Sequence, residues 1–159
     1  LKHYDDAVRA CNKNGTAFIH SSNFSIGVNI LFRINSELAR IMANHRDYIP
    51  FIEEIHHVKK LDAPSGTAIA LAEGIQAQYP AFGGWCAAES PRENYIPVKS
   101  VREGNVPGTH IVTWDSEIDT LSIRHEARGR KGFALGAVIA AEYIRSRKGV
   151  FTMSDVLGF

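Results

Sequence analysis

Few features of this sequence run to an extreme, and each scarcity excludes something. Cysteine occurs twice in 159 residues, at Cys11 and Cys86, far apart and outside any CxxC or Cys/His ligand spacing. That excludes a disulfide scaffold and a cysteine-based zinc site, and it fits two buried thiols in a reducing compartment. No apolar run reaches the about 20 residues that a membrane-spanning helix needs. The first ten residues, LKHYDDAVRA, have neither the basic start nor the apolar centre of a signal peptide. A cytoplasmic protein with no membrane partner is the expectation. Neither sign of charge dominates: 18 Lys and Arg stand against 17 Asp and Glu, so nothing global attracts nucleic acid, and any electrostatic preference must be local. There is no initiating Met, and the chain opens on Leu1 inside an amphipathic pattern, which reads as part of a longer protein.

What is present is a core-forming composition, 45% hydrophobic, sufficient for one domain or one and a half. Residues 4–13 place Ala7, Val8 and Cys11 under charged neighbours, a short helix stopped by Asn12-Lys13-Asn14-Gly15. A brief strand over 16–20 follows. FSIGVNILFRINSELARIMAN repeats apolar residues at helical spacing on a broad stripe that takes in Ile30, Ile34 and Ile41, which predicts a long helix buried on more than one side. After Pro50, FIEEIHH alternates as a strand. SGTAIALAEGIQAQY is a helix capped by Ser65 and ended by Tyr79-Pro80. A loop from 80 to 94 leads to three short strands near IPVKSVRE, THIVTW and TLSIRHEA, expected to be antiparallel because their connections are too short for crossovers. GFALGAVIAAEYIRSRKG is an Ala-rich helix, and Ser154 is placed to cap one last turn. The fold class predicted is α+β, a mixed or antiparallel open sheet covered by helices.

The chemistry concentrates in EEIHHVKKLDAPSGTA, residues 53–68. Neighbouring side chains on a strand face opposite ways, so His56 and His57 cannot share one small ligand while the strand continues. No carboxylate or cysteine is seen to complete a ligand set, and no metal is expected. His56 followed by Lys60 is a plausible acid/base pair, and Lys60 is also a cation for an anionic substrate. Asp62-Ala63-Pro64-Ser65-Gly66-Thr67-Ala68 then places a cap and a glycine at a helix N-terminus, where backbone amides and the helix dipole favour a carboxylate. Plain readings compete: Ser-Gly-Thr is commonly no more than a cap, and Lys59-Lys60 no more than a solvated charge run.

The segment EIHHVKKLDAPSGTA, with SNFSIGVN at 22–29, REGNVPGTH at 102–110 and RHEARGRKGFALGAV at 124–138, resembles the dihydrodipicolinate reductase family, the nicotinamide-dependent reductases of lysine and diaminopimelate synthesis. The resemblance spans nearly the whole chain. It implies that His56 is the acid/base residue and Lys60 a proton donor near the substrate. It further implies that His57 contacts the substrate, a cyclic dicarboxylate, and that Ser65, Gly66 and Thr67 bind one of its carboxylates. Ser21, Ser22, Asn23 and Phe24 match the loop beside the nicotinamide of NADH or NADPH, and Arg130 matches a family arginine near the hinge. The chain departs from the family in having no GxGxxG phosphate turn, so it corresponds to the later part of such an enzyme. By the same resemblance, 1–25 and 130–159 are remnants of a Rossmann-type dinucleotide-binding domain, 26–129 is the substrate and oligomerisation domain, and the assembly is a homotetramer.

Two other functions fit the residues less fully. One is a non-catalytic dicarboxylate-binding and assembly module. The other is a hydrolase with Ser65 as nucleophile and His56 as its base, although the GxSxG elbow is missing.

Overall fold

The computed structural model describes residues 2–159. In chain order the elements are α1 (Tyr4–Asn14), β1 (Ala17–Ile19), α2 (Ile26–Met42), β2 (Ile49–His56), α3 (Gly66–Gln78), β3 (Trp85–Ala87), β4 (Ile96–Arg102), β5 (Thr109–Asp115), β6 (Thr120–Glu126), α4 (Lys131–Ile144), β7 (Gly149–Phe151) and α5 (Met153–Leu157). The class is α+β, as the sequence led us to expect. Two compact units are present: residues up to Asn29 together with Lys131–Phe159 form one, and Ile30–Arg130 the other.

In the first unit β1 and β7 pair in parallel, with Phe18 opposite Val150. Gly15 ends α1 in the left-handed conformation, φ 60°, and returns its N–H to Asn12 and Cys11 carbonyls. Cys11, buried next to that turn, directs its Sγ to the carbonyls of Thr16 at 3.0 Å and Gly149 at 3.4 Å. Gly136 on α4 lies against the Phe24 carbonyl so closely that a Cβ would stand 1.7 Å from the oxygen. The last helix corrects one expectation. Its cap is Thr152, not Ser154, because the Asp155 carboxylate takes the Thr152 N–H at 2.6 Å in a capping box. The three-residue strand β7 was also not foreseen.

The second unit is a five-stranded sheet in the order β3-β4-β2-β5-β6. The sheet is mixed, within the expected class, and the three strands expected to be antiparallel do alternate in direction; what differs is that β4 and β5 are not neighbours. β5 and β6 form an antiparallel hairpin, but β4 runs parallel to both β2 and β3, and β2 lies between β4 and β5. The physical reason is the long excursion between β2 and β4. It contains α3, so the chain has ample length to return as a parallel neighbour. β4 and β5 follow each other closely in sequence without being partners. The short β3 sits within what the sequence presented as a loop.

Helices α2 and α3 supply the apolar cover. Ala68, Leu71, Ala72 and Ile75 of α3 are buried, together with Leu31, Ala39 and Met42 of α2, against Ile52, Val98, Val112 and Trp114 of the sheet. α2 is buried on one face only: Ile30, Ile34 and Ile41 remain 43%, 47% and 45% exposed. The broad stripe of the sequence is thus a core face joined to an uncovered apolar face.

Strand register explains where polar chemistry enters. Ile52 is aligned with Val98, Val112 and through it Ile123, an apolar row across four strands. Two residues further along β2, Glu54 is aligned with Ser100, His110 and through it His125. Alternation keeps both rows on the same face. The core therefore gives way to a polar row where β2 runs toward its carboxyl end, just before the loop that carries Lys60 and Ser65.

Candidate active site

The centre of the site is a buried carboxylate on the middle strand. Glu54 has no exposed surface, and a carboxylate so placed is tolerable only if its charge is matched and its lone pairs are used. Arg102, on β4 opposite His56, donates from Nη2 to Glu54 Oε1 at 2.8 Å. The other carboxylate oxygen, Oε2, is hydrogen-bonded to His56 Nδ1. Burial alone would raise the Glu54 pKa. Hydrogen bonds from His56, Arg102 and Ser100 outweigh it and bring the carboxyl down to about 2.

Arg102 ties this pair to the loop that follows. Its Nη2 also donates to the Asp62 carbonyl at 2.7 Å and its Nη1 to the Val101 carbonyl at 2.7 Å. Asp62 in turn receives Lys60 Nζ on both carboxylate oxygens at 2.8 Å. Hydrogen bonds therefore run from His56 through Glu54 and Arg102 to the backbone carbonyl of Asp62, and the carboxylate of that same residue holds Lys60, so Asp62 connects the two residues proposed from the sequence for acid/base work. The Lys60–Asp62 pair lowers the pKa of Asp62, chiefly through that hydrogen bond.

On the other side of Glu54 lies His110, whose ring centroid is 5.1 Å from that of His56 in an edge-on arrangement. His110 Nε2 is 3.2 Å from Ser65 Oγ, while the Ala68 N–H donates to the same oxygen, also at 3.2 Å. Ser65 is therefore a buried N-cap with its hydroxyl engaged twice, and its histidine is His110, not His56. This pairing removes the hydrolase arrangement. Burial above all, then the nearby His56, lowers the His110 pKa to about 4, so this imidazole is neutral near pH 7.

The remaining candidates lie where the local chain places them. Gly66 opens α3, and a Cβ there would meet nothing within 4 Å, so the helix start is approachable at that point. Thr67 is the next residue of the same first turn. His57 leaves β2 in the turn, with its backbone N–H donated to the Val106 carbonyl at 2.8 Å and its Nδ1 without a hydrogen-bond partner. Ser21, Ser22, Asn23 and Phe24 belong to the other unit, in the loop between β1 and α2. That loop is turned by its own bonds: Ser21 Oγ donates to the Asn23 carbonyl at 2.6 Å, and Asn29 Nδ2 donates to the same carbonyl at 2.8 Å.

One sequence argument against a metal does not survive. Glu54, His56 and His110 bring one potential ligand atom each within 4.8 Å of one another, so a carboxylate and a second histidine do complete a set. The carboxylate, however, already has Arg102 on one oxygen and His56 on the other, and a bound guanidinium competes with a cation. Glu54, Arg102 and His110 were missed for one reason: each meets His56 or Ser65 only through pairing or spacing on the sheet. Glu54 had a usable signal, since a residue two before His56 on a strand shares its face.

Residues 27–157 match the family described as dihydrodipicolinate reductase, C-terminus. A 4-hydroxy-tetrahydrodipicolinate reductase of Christiangramia forsetii is 52% identical over 157 residues, covering 99% of this chain and 65% of that protein. One of Methanococcoides burtonii is 39% identical over 149 residues, covering 92% of this chain and 56% of that protein. The dipicolinate-bound dihydrodipicolinate reductase of Paenisporosarcina sp. TG-14 has a similar fold, with a TM-score of 0.74 at 24% identity over 95% of this chain and 58% of that one. The chain thus spans less than two thirds of the length of these relatives.

Proposed function

Since the chain belongs to the dihydrodipicolinate reductase family, matching its C-terminal part, we propose that it carries the substrate-binding half of a 4-hydroxy-tetrahydrodipicolinate reductase. The reaction is reduction of that cyclic dicarboxylate, or of the dihydropyridine formed from it by loss of water, in lysine and diaminopimelate synthesis. The assembly is a homotetramer in the cytoplasm. Residues 26–129 are the substrate domain, and 1–25 with 130–159 belong to the dinucleotide-binding domain. The observation that carries the reading is the set of bonds that joins His56, Glu54 and Arg102 to Asp62, the residue that also holds Lys60 and that precedes the Ser65 cap of α3 in the same loop.

NADH or NADPH, when bound, supplies the hydride. The loop Ser21–Phe24 suits the edge of such a cofactor, because it leaves β1 at its carboxyl end, where open parallel sheets take nucleotides. No glycine-rich phosphate turn lies among the described residues. Within this chain the work is binding and proton handling. Lys60 leaves Asp62 to meet a substrate carboxylate, and Gly66 and Thr67 present the positive end of α3 to it. Ser65 holds that helix start in place, and His57 lines the approach. His56 with Lys60 delivers the proton that accompanies reduction.

Titration calorimetry with pyridine-2,6-dicarboxylate tests this, with and without NADH. Binding should appear with the chain alone and weaken about 10- to 100-fold in Lys60→Ala, the loss of one charge-assisted hydrogen bond. Absence of binding under both conditions overturns the reading. Binding without turnover once the nucleotide-binding part is supplied would favour the non-catalytic dicarboxylate module instead.

A further inference from the structure

We infer that Glu54 and Arg102 act as a positioning pair that makes Nε2 the nitrogen through which His56 exchanges its proton, and that Gly108 keeps that nitrogen open. The inference rests on the acid/base reading of His56.

The hydrogen-bonding role of a carboxyl group depends on its protonation. Ionised, it only accepts hydrogen bonds. Glu54 is held ionised by Arg102, whose guanidinium donates to its Oε1 at 2.8 Å inside the buried site. Arg102 is itself fixed by the carbonyls of Val101 and Asp62, both at 2.7 Å. The hydrogen between Glu54 Oε2 and His56 Nδ1 must therefore belong to Nδ1. In neutral His56 the lone pair is then on Nε2, and protonation and deprotonation take place there.

The surroundings of Nε2 support the assignment. A Cβ built on Gly108 would lie 3.0 Å from it, and the φ of Gly108, +151°, is one that side-chain-bearing residues rarely adopt. Any side chain at 108 would crowd the space beside the exchanging nitrogen. Backbone bonds on both sides hold His56 in place, since Glu103 donates its N–H to the His56 carbonyl at 2.8 Å and His57 donates to Val106 at 2.8 Å. His110 is arranged the other way round. Its Nε2 is engaged by Ser65, and its Nδ1 has no partner, so it is not equipped for the same exchange.

Long-range proton–nitrogen NMR of the labelled chain reads the tautomer directly, with His56 assigned by a His56→Asn variant. His56 should carry its hydrogen on Nδ1 when neutral. In Glu54→Gln the preference should disappear into a mixture, because an amide donates as readily as it accepts. A His56 protonated on Nε2 in the unaltered chain overturns the inference, as does an unchanged Nδ1–H form in Glu54→Gln. Should that variant fail to fold, the unaltered chain alone decides. In the complete reductase, Glu54→Gln should lower kcat by about tenfold or more while pyridine-2,6-dicarboxylate affinity stays within about threefold, a split that a merely structural residue would not produce. Equal losses in both overturn the positioning role. Failure to bind the dicarboxylate while the Nδ1–H tautomer persists would instead count against the substrate reading and leave the tautomer assignment standing.

Discussion

Acid should destabilise the second unit through His110 in particular. This imidazole is buried at 4% exposure, bonded to Ser65 through Nε2 and without a partner on Nδ1. Its burial, then the neighbouring His56, lowers the pKa from 6.5 to about 4. Unfolded, the same side chain takes up its proton near 6.5, so between about 6.5 and 4 the unfolded state binds more protons than the folded one. Stability therefore falls as pH drops through that window, and above it this group has no effect. A displacement of that size corresponds to about 3 kcal/mol, at about 1.4 kcal/mol per pH unit. Other carboxylates and histidines titrate too, so the informative quantity is a comparison with His110→Gln, whose amide still reaches toward Ser65. Urea unfolding near pH 7 and near pH 4 should show the stability difference between the two proteins moving by about 3 kcal/mol in favour of the variant at the lower pH. Parallel pH dependence would refute the reasoning, because it would mean that His110 accepts a proton as easily folded as unfolded.

Two further perturbations follow from packing. Ser65→Ala removes the cap of α3 and leaves His110 Nε2 without its partner, and should cost about 2 kcal/mol in chemical denaturation. Gly136→Ala would drive a methyl group to 1.7 Å from the Phe24 carbonyl oxygen. It should lower stability by about 3 kcal/mol or more in a thermal melt, and a neutral result would contradict the close packing of α4 on that loop.

How much of this was legible in the sequence depends on how far each cause reaches along the chain. The cap at Ser65, the span of α3, the alternation in β2 and the turn at Gly15 all arise within a few residues and were readable. β3 and β7, three residues each, carry too short a pattern to separate from loop. The parallel pairing of β4 was hidden because it depends on which strand occupies the middle of the sheet: the short connection correctly implied that β4 and β5 run in opposite directions but also suggested that they are neighbours, and β2 lies between them. The uncovered face of α2 shares one apolar stripe with the buried face, and composition does not say which side the chain itself will cover. In the site, His56, Lys60 and Ser65 stood out by proximity in sequence. Arg102 and His110 lie 48 and 56 residues beyond Glu54 and are joined to it by strand register alone.

The central position of β2 also sets a timescale. Its backbone amides are paired on both sides, to β4 and to β5, so hydrogen exchange at Ile52–Ile55 should be among the slowest in the chain, released only by opening of the sheet. Lys60, four residues past the strand end, is held to its turn by a flexible side chain on a largely exposed Asp62, a contact that can break and re-form by rotamer hops in picoseconds to nanoseconds. One half of the proposed acid/base pair is therefore carried by the stiffest backbone available and the other by a side chain that can exchange its partner, so that, in the proposed reaction, Lys60 would change hands from Asp62 to a substrate carboxylate without any rearrangement of the fold.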